Sequence, residues 1–198
     1  MKTIGLTGGI ASGKSSVSRI LKHYPEIDAD QVSRDVVAPG SPGLQMIVTV
    51  FGPEILQEDG ALNRARLRKL IAHDPLAQQK LNAIMHPIII AVIQDRLQTL
   101  AATGESLAFV SAALMMESGS YRNYDAVILI TAPRETRLKR LLQRDNMDRE
   151  TAEKLMDRQW SDEKRRPLAH AEITNNGDLQ DLETNVKKVL ESLQIPWR

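Results

Sequence analysis

Gly8-Gly9-Ile10-Ala11-Ser12-Gly13-Lys14-Ser15 is the stretch that decides the reading of this chain. It fits the spacing of glycine, four residues, then Gly-Lys-Ser/Thr. Glycines let such a loop wrap with its amides pointing inward, so that backbone N–H groups and a helix N-terminus cradle phosphate oxygens. Lys14 then reaches the β and γ phosphates of a nucleotide, and the Ser15 hydroxyl ligates magnesium. Gly8, Gly9, Ile10, Ala11, Ser12, Gly13, Lys14, Ser15 and Ser16 are therefore the candidate nucleotide-binding residues. Upstream, Lys2-Thr3-Ile4-Gly5-Leu6-Thr7 reads as a buried strand. Downstream, Val17, Ile20, Leu21 and Tyr24 carry helical spacing until Pro25 stops it. Strand, glycine-rich turn and helix in that order are the setting a phosphate loop requires.

The alternation continues along the chain. A short strand is expected at Ile27 to Asp30 and a helix from Gln31 to Val37; Gly40-Ser41-Pro42-Gly43 then punctuates. Residues 44–103 read as helical, with Pro75 and Pro87 dividing the run into separate helices. Leu107 to Ala113 and Val127 to Thr131 are continuous apolar runs of the kind that fill parallel sheets. Helices are expected at Arg134 to Arg144, Asp148 to Trp160 and Leu179 to Leu193, with a last strand near Glu172 to Thr174. The fold class is α/β, a parallel sheet flanked by helices and interrupted by a helical insertion.

Composition narrows the function. With 198 residues and 42% hydrophobic content the chain can bury a full core. Lys+Arg of 26 against Asp+Glu of 25 leaves a formal charge of +1, so neither nucleic acid nor an anionic membrane is the expected partner. The absence of cysteine excludes disulfides, thiolate metal sites and cysteine nucleophiles. Ile88 to Ile93 falls short of the roughly 20 apolar residues of a membrane span. The start lacks the apolar region of a secretory signal, and the cytoplasm is the expected compartment.

A phosphate loop alone leaves kinase, ATPase and GTPase open. Asn175-Asn176-Gly177-Asp178 lacks the lysine of a guanine-reading run, which argues against a signalling GTPase. Asp28-Ala29-Asp30 falls at the expected end of the second strand, on the sheet edge where open α/β folds bind ligands. On an extended chain these two carboxylates point to one side. One then orients or deprotonates an attacking hydroxyl while the other arranges water around magnesium; the competing reading is a pair of helix-capping aspartates. Arg137, Arg140 and Arg144 share a helix face, either as a solvated basic stripe or as a lid bringing positive charge to a phosphoryl group. His86 before Pro87 is otherwise a cap, and Glu117 otherwise a surface residue.

The ordered set of these motifs resembles the dephospho-coenzyme A kinases. The resemblance runs through Gly5 to Ile10, Asp28-Ala29-Asp30 with Arg34, His86-Pro87, Glu117, Arg137 to Arg144, Gln159, and Ile173-x-Asn175-x-Gly177. It implies a P-loop NTPase fold of nucleoside-monophosphate-kinase type, with core 1–60 and 105–198, a CoA-binding helical insertion at about 61–104 and a lid at about 137–165. It also implies transfer of phosphate from ATP, with Mg2+, to the ribose 3′-hydroxyl of dephospho-CoA. By position, Asp30 is then the catalytic base and Lys14 and Arg140 act on the transferring phosphoryl group. Arg34, His86 and Glu117 bind the acceptor, and Asn175 and Gly177 lie on the nucleotide side. Three positions depart from the family pattern. Ala11 stands where glycine is usual, which a loop tolerates if that residue keeps negative φ. Ala112-Ala113 stands where a proline is usual, and His170 replaces an aspartate common before the last strand, a departure that bears on the adenine-side contacts. A kinase for another small acceptor, and an ATP-binding switch without transferase activity, are the rival readings.

Overall fold

The computed structural model describes residues 1–72 and 74–197. Strand β1 (Lys2–Gly8) leads into the phosphate loop and α1 (Lys14–Ile20), followed by β2 (Glu26–Asp28). Four helices come next: α2 (Ala29–Asp35), α3 (Pro42–Phe51), α4 (Arg64–Ala72) and α5 (Pro75–Ala102). The chain returns through β3 (Leu107–Ser111), β4 (Ala126–Thr131), α6 (Arg134–Asp145), α7 (Arg149–Asp157) and α8 (Asp162–Arg165) to β5 (Ala171–Thr174) and α9 (Leu179–Ser192).

The five strands are parallel, in the order β2-β3-β1-β4-β5. Every residue of β3 and β4 is buried, as expected where helices cover both faces of a sheet. Ile4, Leu6, Phe109, Ile128 and Ile130 pack with Val17 of α1 and Leu21 just after it, and with Leu182, Val186 and Leu190 of α9. Met115, Met116 and Val127 form a second layer against which Trp160 packs. Register sets Leu6 opposite Ser111 and Gly8 opposite Ile130, so the loop leaves the central strand at the carboxyl edge of the sheet. The order of strands switches beside β1, with β2 and β3 on one side and β4 and β5 on the other, which makes that edge the ligand crevice of this topology.

Two compact units make up the described chain, Met1–Asp28 with Leu100–Arg198, and Ala29–Thr99. The second begins at Ala29 rather than near residue 61, because Val37 of the α2–α3 connection and Leu44, Ile47 and Phe51 of α3 share one apolar core with Leu67 of α4 and Ala77 and Ile84 of α5. Ser41 caps α3, accepting from the Leu44 N–H at 3.2 Å, and Pro42 occupies its first turn.

Pro87 does not divide two helices; it lies inside the 28-residue α5. An interior proline costs about 3 kcal/mol through its missing N–H and its clash with the carbonyl four residues back. Packing of Ile84, Met85 and Ile88 on both sides of it opposes that cost. One 18-residue stretch of α5 also reaches a mean hydropathy of 1.2, so by length and composition this helix does match a membrane span, unlike the shorter run read from sequence. Its Leu81, Ile84, Met85 and Ile88 are engaged in the core of its own unit.

Candidate active site

Residues 9–13 turn sharply: the Ser12 N–H donates to the Gly9 carbonyl at 3.0 Å, and the N–H groups of Ser16 and Val17 both reach the Gly13 carbonyl. Gly13 has a φ of 99°, which a side chain rarely adopts, and a Cβ there would collide with the Asn175 amide. Ala11 departs from expectation. Its φ is 59°, in the left-handed region rather than at negative φ, so the loop holds a conformation that costs an L-residue roughly 1–2 kcal/mol.

Side chains from the far end of the sequence brace the loop. Asn175, immediately after β5, donates to the Ser12 carbonyl at 2.8 Å and accepts from Arg140 at 3.4 Å. The Arg140 Nη1 is buried without a hydrogen-bond partner among the described residues and lies 3.9 Å from where a Gly13 side chain would begin. Gly13, Ser16, Arg140, Asn175 and Gly177 line a cavity of about 250 Å³ beside the loop. Thr7 Oγ1 and Ser12 Oγ are also buried without partners among the described residues.

The arginine face divides. Arg137 is buried, donates through Nε to the Ile10 carbonyl at 2.9 Å and pairs with Asp162 at 3.4 Å. Arg144 turns outward and pairs with its neighbour Asp145 at 2.7 Å. Burial lowers the Arg137 pKa from its ordinary value and raises that of Asp162, in each case against the pull of their mutual attraction. Arg134, Arg137, Gln159, Trp160 and Asp162 contribute to a larger cavity of about 640 Å³ that reaches the ends of β4 and β5 at Thr131 and Thr174.

The acidic pair is not on one extended strand. Asp28 ends β2 and is exposed, whereas Asp30 lies half-buried in the first turn of α2, because the edge strand is only three residues long and the helix begins at Ala29. Helical geometry removes the same-side argument, and each carboxylate stands on its own. Arg34 sits one turn further along α2 and donates to the Gln31 side chain at 2.8 and 3.0 Å. His86 is exposed on α5.

Glu117 lies in the segment after β3, beyond the strand's carboxyl end at Ser111. Its Oε1 accepts from the Trp160 N–H at 3.1 Å and from the Arg165 guanidinium. His170 is not on the nucleotide side: its Nδ1 accepts from Val127 N–H at 3.1 Å, at the opposite end of β4 from the loop. Arg165, fully buried, and Asp162 are the residues the sequence reading missed. Within Lys164-Arg165-Arg166 the buried member looks like its solvated neighbours, and no local signal separates it.

Residues 2–181 match the family model of dephospho-CoA kinase. The chain belongs to that family. A dephospho-CoA kinase of Moorella thermoacetica is 43% identical over 197 residues, covering 98% of this chain and 93% of that protein. Among solved structures, TT1252 from Thermus thermophilus superposes with a TM-score of 0.84 at 30% identity over 97% of both chains. Dephospho-CoA kinase from Campylobacter jejuni follows with a TM-score of 0.71 at 29% identity over 98% of both. A shikimate kinase from Bacteroides thetaiotaomicron, at 15% identity and a TM-score of 0.50, shares the fold alone, that of a P-loop kinase. Membership of a kinase family agrees with the absence of a guanine-reading lysine in Asn175-Asn176-Gly177-Asp178.

Proposed function

We propose that this protein transfers the γ-phosphoryl group of ATP to the ribose 3′-hydroxyl of dephospho-CoA, giving CoA and ADP. Family membership supports the substrates, and one observation supports the chemistry: an Arg140 nitrogen without a hydrogen-bond partner among the described residues, beside a phosphate loop braced by Asn175. The acceptor oxygen bonds to the γ-phosphorus as the bond to the bridging oxygen of ADP breaks, and the hydroxyl proton passes to the Asp30 carboxylate. Loop amides and Lys14 hold the phosphates, and Arg140 stabilises charge on the transferring oxygens.

Magnesium fits this site as a cation carried mainly by phosphate. Among the described residues no cluster of three His, Asp or Glu side chains is placed to hold a metal, whereas Ser15 offers one exposed hydroxyl at the start of α1. A hard cation that keeps several waters needs little more from the protein. When bound, it neutralises charge across the β and γ phosphates.

Acceptor recognition falls to Arg34, His86 and the helical insertion, whereas Glu117, expected from sequence to join them, turns its Oε1 to Arg165 and the Trp160 N–H. Met46 and Val50 of α3 and Leu76 and Ile90 of α5 are exposed, the apolar surface that an extended pantetheine arm requires. The test is ADP formation from Mg-ATP with dephospho-CoA, adenosine, AMP or no acceptor, with the product read by NMR. Turnover with dephospho-CoA and a new 3′-phosphate is the expected result. Equal turnover on adenosine or AMP would establish another acceptor, and ATP binding without turnover on any of them would establish a switch.

A further inference from the structure

Ile10 is the third residue of the phosphate loop, and both polar groups of its backbone are taken by side chains from far along the sequence. Gln159 Oε1 accepts from its N–H at 2.6 Å, and Arg137 Nε donates to its carbonyl at 2.9 Å. Gly9 permits this: a Cβ there would collide with the Arg137 guanidinium. Neither Gln159 nor Arg137 is held by the loop alone. Arg137 pairs with Asp162 at 3.4 Å, Asp162 lies 3.6 Å from Arg165, and Arg165 donates to Glu117. Glu117 also accepts the N–H of Trp160, the residue next to Gln159. A continuous chain of charge thus runs from the segment after β3 to the peptide of Ile10.

That chain is a poor way to gain stability. Arg165 is fully buried, and its Nε and Nη1, like Glu117 Oε2, make no hydrogen bond among the described residues. Buried ion pairs with unsatisfied members commonly contribute less than apolar residues of equal volume, so stability is a weak account of this chain and its geometry the stronger one.

We infer that Gln159 and Arg165 are positioning residues of the kinase: Arg165, anchored on Glu117, sets the 159–165 segment, and Gln159 with Arg137 then fixes the Ile10 peptide in the conformation that receives the nucleotide phosphates. This rests on the kinase reading above only for its consequence in turnover. Its binding consequence stands on the loop itself, since displaced amides lose phosphate contacts whatever the acceptor.

The experiment is a double-mutant cycle read by calorimetric ATP affinity without acceptor, alongside the melting temperature and kcat with dephospho-CoA. Gln159→Ala is expected to raise the ATP Kd about tenfold, and Arg165→Met, which never touches the loop, to do the same. The double variant should bind no more than about threefold worse than the weaker single, because both break one chain. Arg165→Lys should restore part of the affinity. If Arg165→Met does not fold, Glu117→Gln, which keeps the volume and removes the charge, takes its place in the cycle. Single variants that lower the melting temperature but leave Kd and kcat within about twofold of wild type, or losses that multiply toward about 100-fold in the double, would overturn the inference. A wild type that binds ATP but does not phosphorylate dephospho-CoA would defeat the kinase reading, and the affinity cycle would still decide this one.

Discussion

The two units of this chain hold their functional residues in different ways. In the sheet unit, the phosphate loop is tied by side chains up to 163 residues distant in sequence, and Arg137, Arg165 and Asn175 are all buried. In the helical unit, Asp30 is half-buried in a first helical turn, Arg34 donates to its neighbour Gln31, and His86 is exposed. A phosphate group needs amides fixed before it arrives, whereas a long acceptor is gripped over many weaker contacts. On the proposed function, ATP would meet the braced residues of the sheet unit and the acceptor the more exposed residues of the helical unit.

Substitutions on either side of that division should separate kinetically. Asp30→Asn is expected to lower kcat by about 10²–10⁴-fold, the usual contribution of a general base, while the ATP Kd measured by calorimetry stays near that of wild type. A large loss of ATP affinity would place Asp30 in the nucleotide site and break the division. Lys14→Ala belongs to the rigid side and should reduce kcat/KM for ATP by about 100-fold, about 3 kcal/mol of transition-state stabilisation, with KM and kcat both affected. A fall below about tenfold in steady-state assays would mean that Lys14 is not the phosphate lysine.

The loop itself offers a smaller and sharper test. Ala11 at a φ of 59° is strained, and the surrounding bonds from Gln159, Arg137 and Asn175 hold it there. Ala11→Gly should relieve the strain, less what glycine adds to the entropy of the unfolded chain, for a net gain of up to about 1 kcal/mol. In a chain of this size that is a rise in melting temperature of about 2–4 °C. No rise, with unchanged ATP affinity, would show that the bracing bonds rather than the dihedral set the stability of the loop.

How much of this was legible in the sequence follows from how local each signal is. The strand, loop and helix of residues 2–20 were readable because glycine, lysine and serine at fixed spacing answer to one local geometry. The runs at 107–113 and 127–131 were readable as strands because a strand buried on both faces has nowhere to place charged residues, although β3 stops at Ser111, short of Ala112-Ala113. The sequence placed Asp30 near the sheet edge but in a strand, since nothing in Ile27 to Asp30 marks where an edge strand of three residues gives way to helix. Pro87 reads as a break in the sequence because local propensity carries no trace of the packing that overrides it. The left-handed Ala11 and the buried Arg165 depend on partners outside their own segments, Gln159 and Glu117 among them, and local pattern carries no trace of either.

The weakest expected effect probes the rigid unit at the end away from the loop. Asp125 Oδ2 accepts from the Thr3 N–H at 2.6 Å and from the Thr3 hydroxyl at 2.9 Å, pinning the start of β1 beside β4. These bonds, the backbone one foremost, hold its carboxyl below its ordinary value of 3.8. A carboxylate whose folded pKa is depressed adds stability that is fully present above about pH 4 and is lost as pH falls through the folded value. The gap in unfolding free energy between wild type and Asp125→Asn, measured by urea titration, should therefore be constant from pH 7 to about pH 5 and close below about pH 4. Because the bond lies within the sheet unit, the ATP Kd of the variant at pH 7 should match wild type even as its stability falls. A change in nucleotide affinity would mean that the central strand transmits strain along its length to the loop, and rigidity in this unit would then be a property of β1 rather than of the side chains that brace residues 10–13.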